Sequence, residues 1–264
     1  MRRRFFVRIV ALDMDGTLLD AAGAIPPGFW DVKRRAEERG WIIAPASGRQ
    51  LATLENTFAA EPPRAFIAEN GTVVSIGGEI VSTTTVPAAE VSAALARATQ
   101  IEAAVVVCSP TVAFIQRGLP ASTRAEIDKY YHSVEEVDDV YACSPEGVIK
   151  LAFFGEAEAV IAPALRECVD QATVVVSGAQ WVDIMHPEAN KGVALHQLAV
   201  ALDFDLADTV AFGDYLNDYE LLRTAGTAYA MENAHPQLKE IADAIAPANT
   251  EYGVVTELNK LLED

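Results

Sequence analysis

Two carboxylates one residue apart, Asp13 and Asp15, stand at the end of a short apolar run, Ile9-Val10-Ala11-Leu12, and Gly16-Thr17 follow at once. In an extended chain residues i and i+2 point the same way, so both acids leave a strand end together. Held side by side, they repel unless a cation or a proton lies between them. Other polar groups occupy comparable positions further on. Ser47-Gly48-Arg49 follows the apolar run Trp41-Ile42-Ile43-Ala44, and Lys191 stands at the head of a helix opened by Asn190. Gly213-Asp214-Tyr215-Leu216-Asn217-Asp218 closes the run Thr209-Val210-Ala211-Phe212.

These residue types suit phosphoryl transfer. Asp13, Asp15 and Asp214 offer hard oxygen donors, and a few carboxylates with waters suit Mg²⁺, which also binds phosphate oxygens. His132, His186, His196 and His235 are scattered and offer no zinc set. The Ser47 hydroxyl, the unobstructed Gly48 N–H and a helix N-terminus form an anion cradle. Lys191 adds a positive charge in a first helical turn, where the dipole disfavours it; that local misfit points to function. Phosphoryl transfer needs an in-line nucleophile and neutralised equatorial oxygens, and a carboxylate nucleophile gives an aspartyl-phosphate. Asp13 is read as that nucleophile. Asp15 is read as proton donor to the leaving group and then as base toward water, with its backbone carbonyl on the metal. Such an acid needs a pKa raised by its neighbours. Asn217 and Asp218 fall three and four residues after Asp214, on one face of an incipient helix. Asn217 suits a phosphate or water contact, and Asp218 orients Lys191 or a metal-bound water.

The elements that must position these groups alternate. Strands at 9–12, 41–44 and 65–68 enclose helices near 27–39 and 50–59, with Gly40 as a C-cap. Such alternation implies right-handed crossovers and a mainly parallel sheet, whose carboxyl edge is where open α/β sheets place their ligands. After Asn70-Gly71 the texture changes. Gly77-Gly78 marks a hairpin, and strands near 103–108, 112–115, 148–154 and 173–176 mix with helices at 88–99, 122–131 and 156–168. The acidic stretch Glu135, Glu136, Asp138 and Asp139 reads as a solvated loop. Alternation resumes after Lys191. The expected fold is α/β, a Rossmann-like, mainly parallel sheet core spanning 1–86 and 181–264. An α+β insert covers 87–180, with hinges sought at Pro87 and near Trp181-Val182-Asp183.

The chain of 264 residues carries a formal net charge of -18, with 51% hydrophobic and 22% charged residues. A sizeable core is expected, and a nucleic-acid partner is not, because phosphates need a basic surface. Cys108, Cys143 and Cys168 are widely spaced and fit a reducing, cytoplasmic compartment. Arg2, Arg3 and Arg4 precede an apolar run, but Arg8 interrupts it and Asp13 ends it, so no cleavable leader is expected. No uncharged apolar run approaches the ~18 residues of a membrane span, and no membrane partner is expected.

Taken together, Asp13-Met14-Asp15-Gly16-Thr17, Ser47-Gly48-Arg49, Lys191 and Gly213–Asp218 resemble the four ordered motifs of the haloacid dehalogenase superfamily of phosphatases. The large insert between the second and third motifs resembles the Cof-type branch, with its type IIB cap. Asn70-Gly71 and Asn190-Lys191-Gly192 are also similar to that branch. The resemblance implies a HAD-like core, a cap that chooses the substrate, and hydrolysis of a small phosphate ester. It assigns Asp13 as nucleophile, Asp15 as acid/base, Mg²⁺ to Asp13, the Asp15 carbonyl and Asp214, and phosphate to the Met14 N–H, Ser47, Gly48, Lys191 and Asn217. Arg49 either pairs with a carboxylate or touches phosphate. A sugar phosphate is the first expectation for the substrate and a phosphorylated cofactor the next; Arg117, Arg124, Lys129, Tyr130, Tyr131 and His132 are candidates to meet its leaving group. A phosphomutase similar to the phosphomannomutases, and a non-catalytic regulatory protein on this scaffold, are the competing readings.

Overall fold

The computed structural model describes residues 9–263; the arginines at 2–4 and 8, and the leader they were weighed for, lie outside the described residues. In chain order the described elements are β1 (Ile9–Leu12), α1 (Phe29–Glu38), β2 (Ile42–Pro45), α2 (Leu51–Thr57), β3 (Ala65–Ala68), β4 (Val73–Ile76) and β5 (Glu79–Thr83). There follow α3 (Ala88–Ala98), β6 (Ala103–Cys108), β7 (Ala113–Gln116), α4 (Ala121–Ile127), β8 (Val134–Val137), β9 (Lys150–Gly155), α5 (Ala162–Arg166), β10 (Thr173–Gly178) and β11 (Trp181–Met185). The chain closes with α6 (Lys191–Ala201), β12 (Thr209–Gly213), α7 (Tyr219–Thr224), β13 (Thr227–Met231), α8 (Pro236–Ile241), β14 (Ala244–Ala246) and α9 (Gly253–Glu263).

Two units result. The first comprises 9–48, Thr57–Ser82 and 190–263. Its five-stranded sheet runs β14-β13-β12-β1-β2, parallel at every pairing. β1 lies between β12 and β2 and all four of its residues are buried, the run of unbroken apolar side chains that a strand covered on both faces requires. Register decides what happens at the edge. Leu12 pairs with both Phe212 and Pro45, so the residues after β1, β12 and β2 emerge level with one another. β3 extends this layer through a parallel bridge, Ala46 to Ile67, and pairs antiparallel with β4.

The second unit comprises Arg49–Asn56 and Thr83–Ala189. Its six-stranded sheet runs β10-β11-β9-β6-β7-β8. Val105, Val107, Leu151, Phe153, Val182 and Ile184 alternate onto one face and join α3 and α5 in a separate apolar core, as the two-residue period of strands dictates.

Three expectations change here. The acidic stretch is only partly a loop: Glu135 and Glu136 lie in the edge strand Val134–Val137, parallel to β7, while Asp138 and Asp139 follow it in irregular chain. Its charges are tolerable because an edge strand keeps one side in water, and Arg124 and Arg117 pair with Glu136 and Asp138. Trp181-Val182-Asp183 is not a hinge but the middle of a sheet, bonded to β10 on one side and β9 on the other. The insert therefore runs on to Ala189 rather than stopping at 180. Arg49–Asn56 groups with the insert rather than the core: Gln50 donates to the Ser133 carbonyl (3.0 Å) and accepts from the Ser133 N–H (2.8 Å). Among the described residues no helix is long and apolar enough to cross a membrane.

Candidate active site

Asp13 follows β1 directly, its N–H bonded to the Phe212 carbonyl at 3.1 Å. The chain then makes one wide turn, with Leu18 N–H bonded to Asp13 O and Leu19 N–H to Met14 O. Gly16, at φ +80°, lets it do so. The Gly16 position is also crowded: a Cβ there would lie 2.2 Å from Asp214 Oδ2. Only glycine satisfies both the left-handed backbone and that approach. The turn buries Asp13, Met14 and Thr17 and leaves Asp15 exposed.

Lys191 is the centre of the site. It opens α6, whose Asn190 cap accepts the Val193 N–H at 2.9 Å, and it is only 1% exposed. Its Nζ donates to Asp13 Oδ1 at 2.5 Å and to Asp218 Oδ1 at 2.6 Å. Asp218 Oδ2 in turn accepts the N–H groups of Asp214 (3.0 Å) and Tyr215 (3.3 Å). Asp218 thus holds the Lys191 ammonium and the turn that carries Asp214. Carboxylate oxygens of Asp13, Asp214 and Asp218 lie within 4.8 Å of one another, a cluster of hard oxygen donors of the kind that suits a divalent cation such as Mg²⁺.

The electrostatics follow from burial. Burial, with Asp218 and Asp214 adding repulsion, pushes the Asp13 carboxyl up to about 7 against the pull of Lys191. Burial and Asp218 raise Asp214 to about 6, while a hydrogen bond from the Thr17 hydroxyl (3.3 Å) opposes the shift. Burial alone would lower the Lys191 ammonium, but Asp13 and Asp218 outweigh it and hold it above the ordinary lysine value. When all three acids ionise, three carboxylates face one ammonium, leaving two negative charges uncompensated. A divalent cation with oxygen preference fits that donor set.

The remaining expected residues sit on the same edge. Ser47 is buried, its N–H on the Ile67 carbonyl at 2.9 Å. Gly48 is half-buried and Asn217 exposed. Asn217 Nδ2 meets Asn70 Oδ1 at 3.5 Å, and the Asn70 amide lies 3.0 Å from where a Gly48 Cβ would stand. Arg49 falls with the second unit. Two contributors escaped the sequence reading. Thr17 orients Asp214, and Asn233, two residues beyond β13, donates to the Gly16 carbonyl at 2.8 Å. The signal for Asn233 was its place just past another parallel strand's carboxyl end.

Residues 10–258 match the family described as haloacid dehalogenase-like hydrolase. The chain is 28% identical over 263 residues to the 5-amino-6-(5-phospho-D-ribitylamino)uracil phosphatase YbjI of Escherichia coli K12, covering 97% of each chain. It is 29% identical over 237 residues to the HMP-PP phosphatase of Escherichia fergusonii, covering 88% of this chain and 86% of that one. A crystal structure from Eubacterium rectale superposes with a TM-score of 0.83 at 27% identity, over 97% of this chain and 99% of that one.

Proposed function

The chain belongs to the haloacid dehalogenase-like hydrolase family, and from that premise we propose that it is a Mg²⁺-dependent phosphatase hydrolysing the monoester of a small phosphorylated metabolite. The observation that carries the proposal is the buried ammonium of Lys191 shared by Asp13 and Asp218, with Asp214 alongside. An ion pair buried without purpose is weak evidence for stability; here the Lys191 ammonium opposes the burial that would otherwise protonate the Asp13 carboxyl, at a strand end where a phosphate can arrive.

Asp13, Asp214 and the Asp15 carbonyl would hold the Mg²⁺, which when bound would neutralise charge on the phosphoryl oxygens. The Asp13 carboxylate attacks phosphorus; its bond to phosphorus forms as the ester P–O bond breaks. Asp15, exposed beside it, gives its proton to the departing oxygen. As a carboxylate, Asp15 then takes a proton from water, whose oxygen attacks the acyl-phosphate. Inorganic phosphate leaves and Asp13 is regenerated. Lys191, Ser47, Asn217 and the N–H groups of Met14 and Gly48 cradle the phosphoryl oxygens throughout. The names of the curated relatives, a 5-amino-6-(5-phospho-D-ribitylamino)uracil phosphatase and an HMP-PP phosphatase, support a small phosphorylated metabolite as substrate. We assign the choice of leaving group to the second unit, as a Cof-type cap would imply. The wide spacing of Cys108, Cys143 and Cys168 along the chain supports a reducing, cytoplasmic setting.

The test is phosphate release from a panel of phosphate monoesters, with Mg²⁺ and with a chelator. Asp13→Asn should lower kcat by roughly three orders of magnitude or more while leaving substrate affinity measurable. Equal turnover in the two proteins would overturn the nucleophile.

A further inference from the structure

We infer that Asn70 is a positioning residue of the phosphate cradle, setting the Gly48 N–H and the Asn217 amide toward one phosphoryl oxygen; this rests on the phosphatase reading above. Glu69 and Asn70 are consecutive residues at φ +51° and +55°. Two adjacent left-handed non-glycine residues are strained and persist only where their surroundings overdetermine them.

Both flanks of Asn70 supply that determination. On one side its N–H donates to the Ser47 carbonyl at 2.9 Å. On the other, Gly71 (φ +94°) is packed so that a Cβ would lie 2.3 Å from the Asn190 carbonyl oxygen, at the cap of the helix presenting Lys191. The loop is thereby wedged between the Ser47 strand end and the start of α6. Its product is one side chain: the Asn70 carboxamide packs on the Gly48 Cα and receives Asn217 Nδ2 at 3.5 Å. Gly48 and Asn217 come from distant strand ends and meet through Asn70. A carboxamide suits this role because its oxygen accepts from Asn217 while its flat face packs beside Gly48.

Asn70→Gly separates this role from a structural one. Glycine adopts the left-handed backbone more readily than asparagine, so the variant should melt at or above the parent temperature. Its KM for p-nitrophenyl phosphate and its inhibition constant for inorganic phosphate should each rise about tenfold, the loss expected for one hydrogen bond to a charged group. Its kcat should stay within about twofold, because Asp13 and Asp15 are untouched. Asn70→Asp keeps the shape and adds a negative charge, and should weaken phosphate inhibition further than glycine does. An active parent with unchanged KM and phosphate inhibition in Asn70→Gly overturns the inference and leaves the phosphatase reading standing. If the parent shows no turnover, protection by inorganic phosphate in thermal melts decides: protection lost in Asn70→Gly supports the cradle without the chemistry, and equal or absent protection in both proteins overturns it.

Discussion

An ammonium clasped by two buried carboxylates makes the protonation of its partners a property of the whole cluster. Metal-free, Asp13 sits near 7 and Asp214 near 6, both above the ordinary carboxylate value of 3.8. The folded chain therefore binds more protons than the unfolded one between these values. Each group's contribution is fully present below the unfolded pKa and is lost as pH rises through the folded pKa. Mg²⁺ reverses the penalty because it binds the ionised forms. The rise in melting temperature on adding Mg²⁺ should be small at about pH 5 and grow through pH 6–7 to a plateau near pH 8. Thermal melts across that range check this, and a Mg²⁺ effect independent of pH would contradict it.

At the scale of elements, the turn after β1 is where backbone geometry and chemistry are hardest to separate. Gly16 turns the chain at φ +80° and leaves room for the Asp214 carboxylate, while Asn233 holds the same carbonyl from a neighbouring strand end. Gly16→Ala should destabilise the protein by about 2 kcal/mol through strain and collision and should lose most of its Mg²⁺-dependent stabilisation, since the added methyl displaces Asp214. Denaturant unfolding with and without Mg²⁺ measures both. Asn233→Ala removes one hydrogen bond without collision and should cost nearer 1 kcal/mol, with Mg²⁺ stabilisation retained in part.

For the whole molecule, the two units carry separate cores. Phe153 is fully buried within the second, on the face of β9 shared with Leu151. Phe153→Ala should cost that unit about 3–5 kcal/mol. Because cooperative units open separately, hydrogen exchange should lose protection across 83–189 while amides of β1 and β12 stay protected. A uniform loss across both units would show instead that they unfold as one.

The chemistry-bearing residues and the alternation that brings them together are local properties, and the amino-acid sequence determined them by itself. Asp13, Ser47, Asp214 and Lys191 each stand at the end of an apolar run or the start of a helix, and parallel crossovers deliver every such end to one edge. What only the tertiary structure decided depends on register and on charge across distance. Whether Lys191 met Asp13 and Asp218 or faced solvent was set by the pairing of β1 with β12 and the packing of α6. The acidic Val134–Val137 became a strand because its backbone pairs with β7, a partner outside its local pattern. Trp181–Met185 and Gln50 joined the second unit through partners on β9, β10 and Ser133 that no local pattern names. Asn70, in the sequence only half of the Asn70-Gly71 pair with no role assigned to it, stands between Gly48 and Asn217 because two left-handed residues and a glycine pressed against Asn190 aim it there.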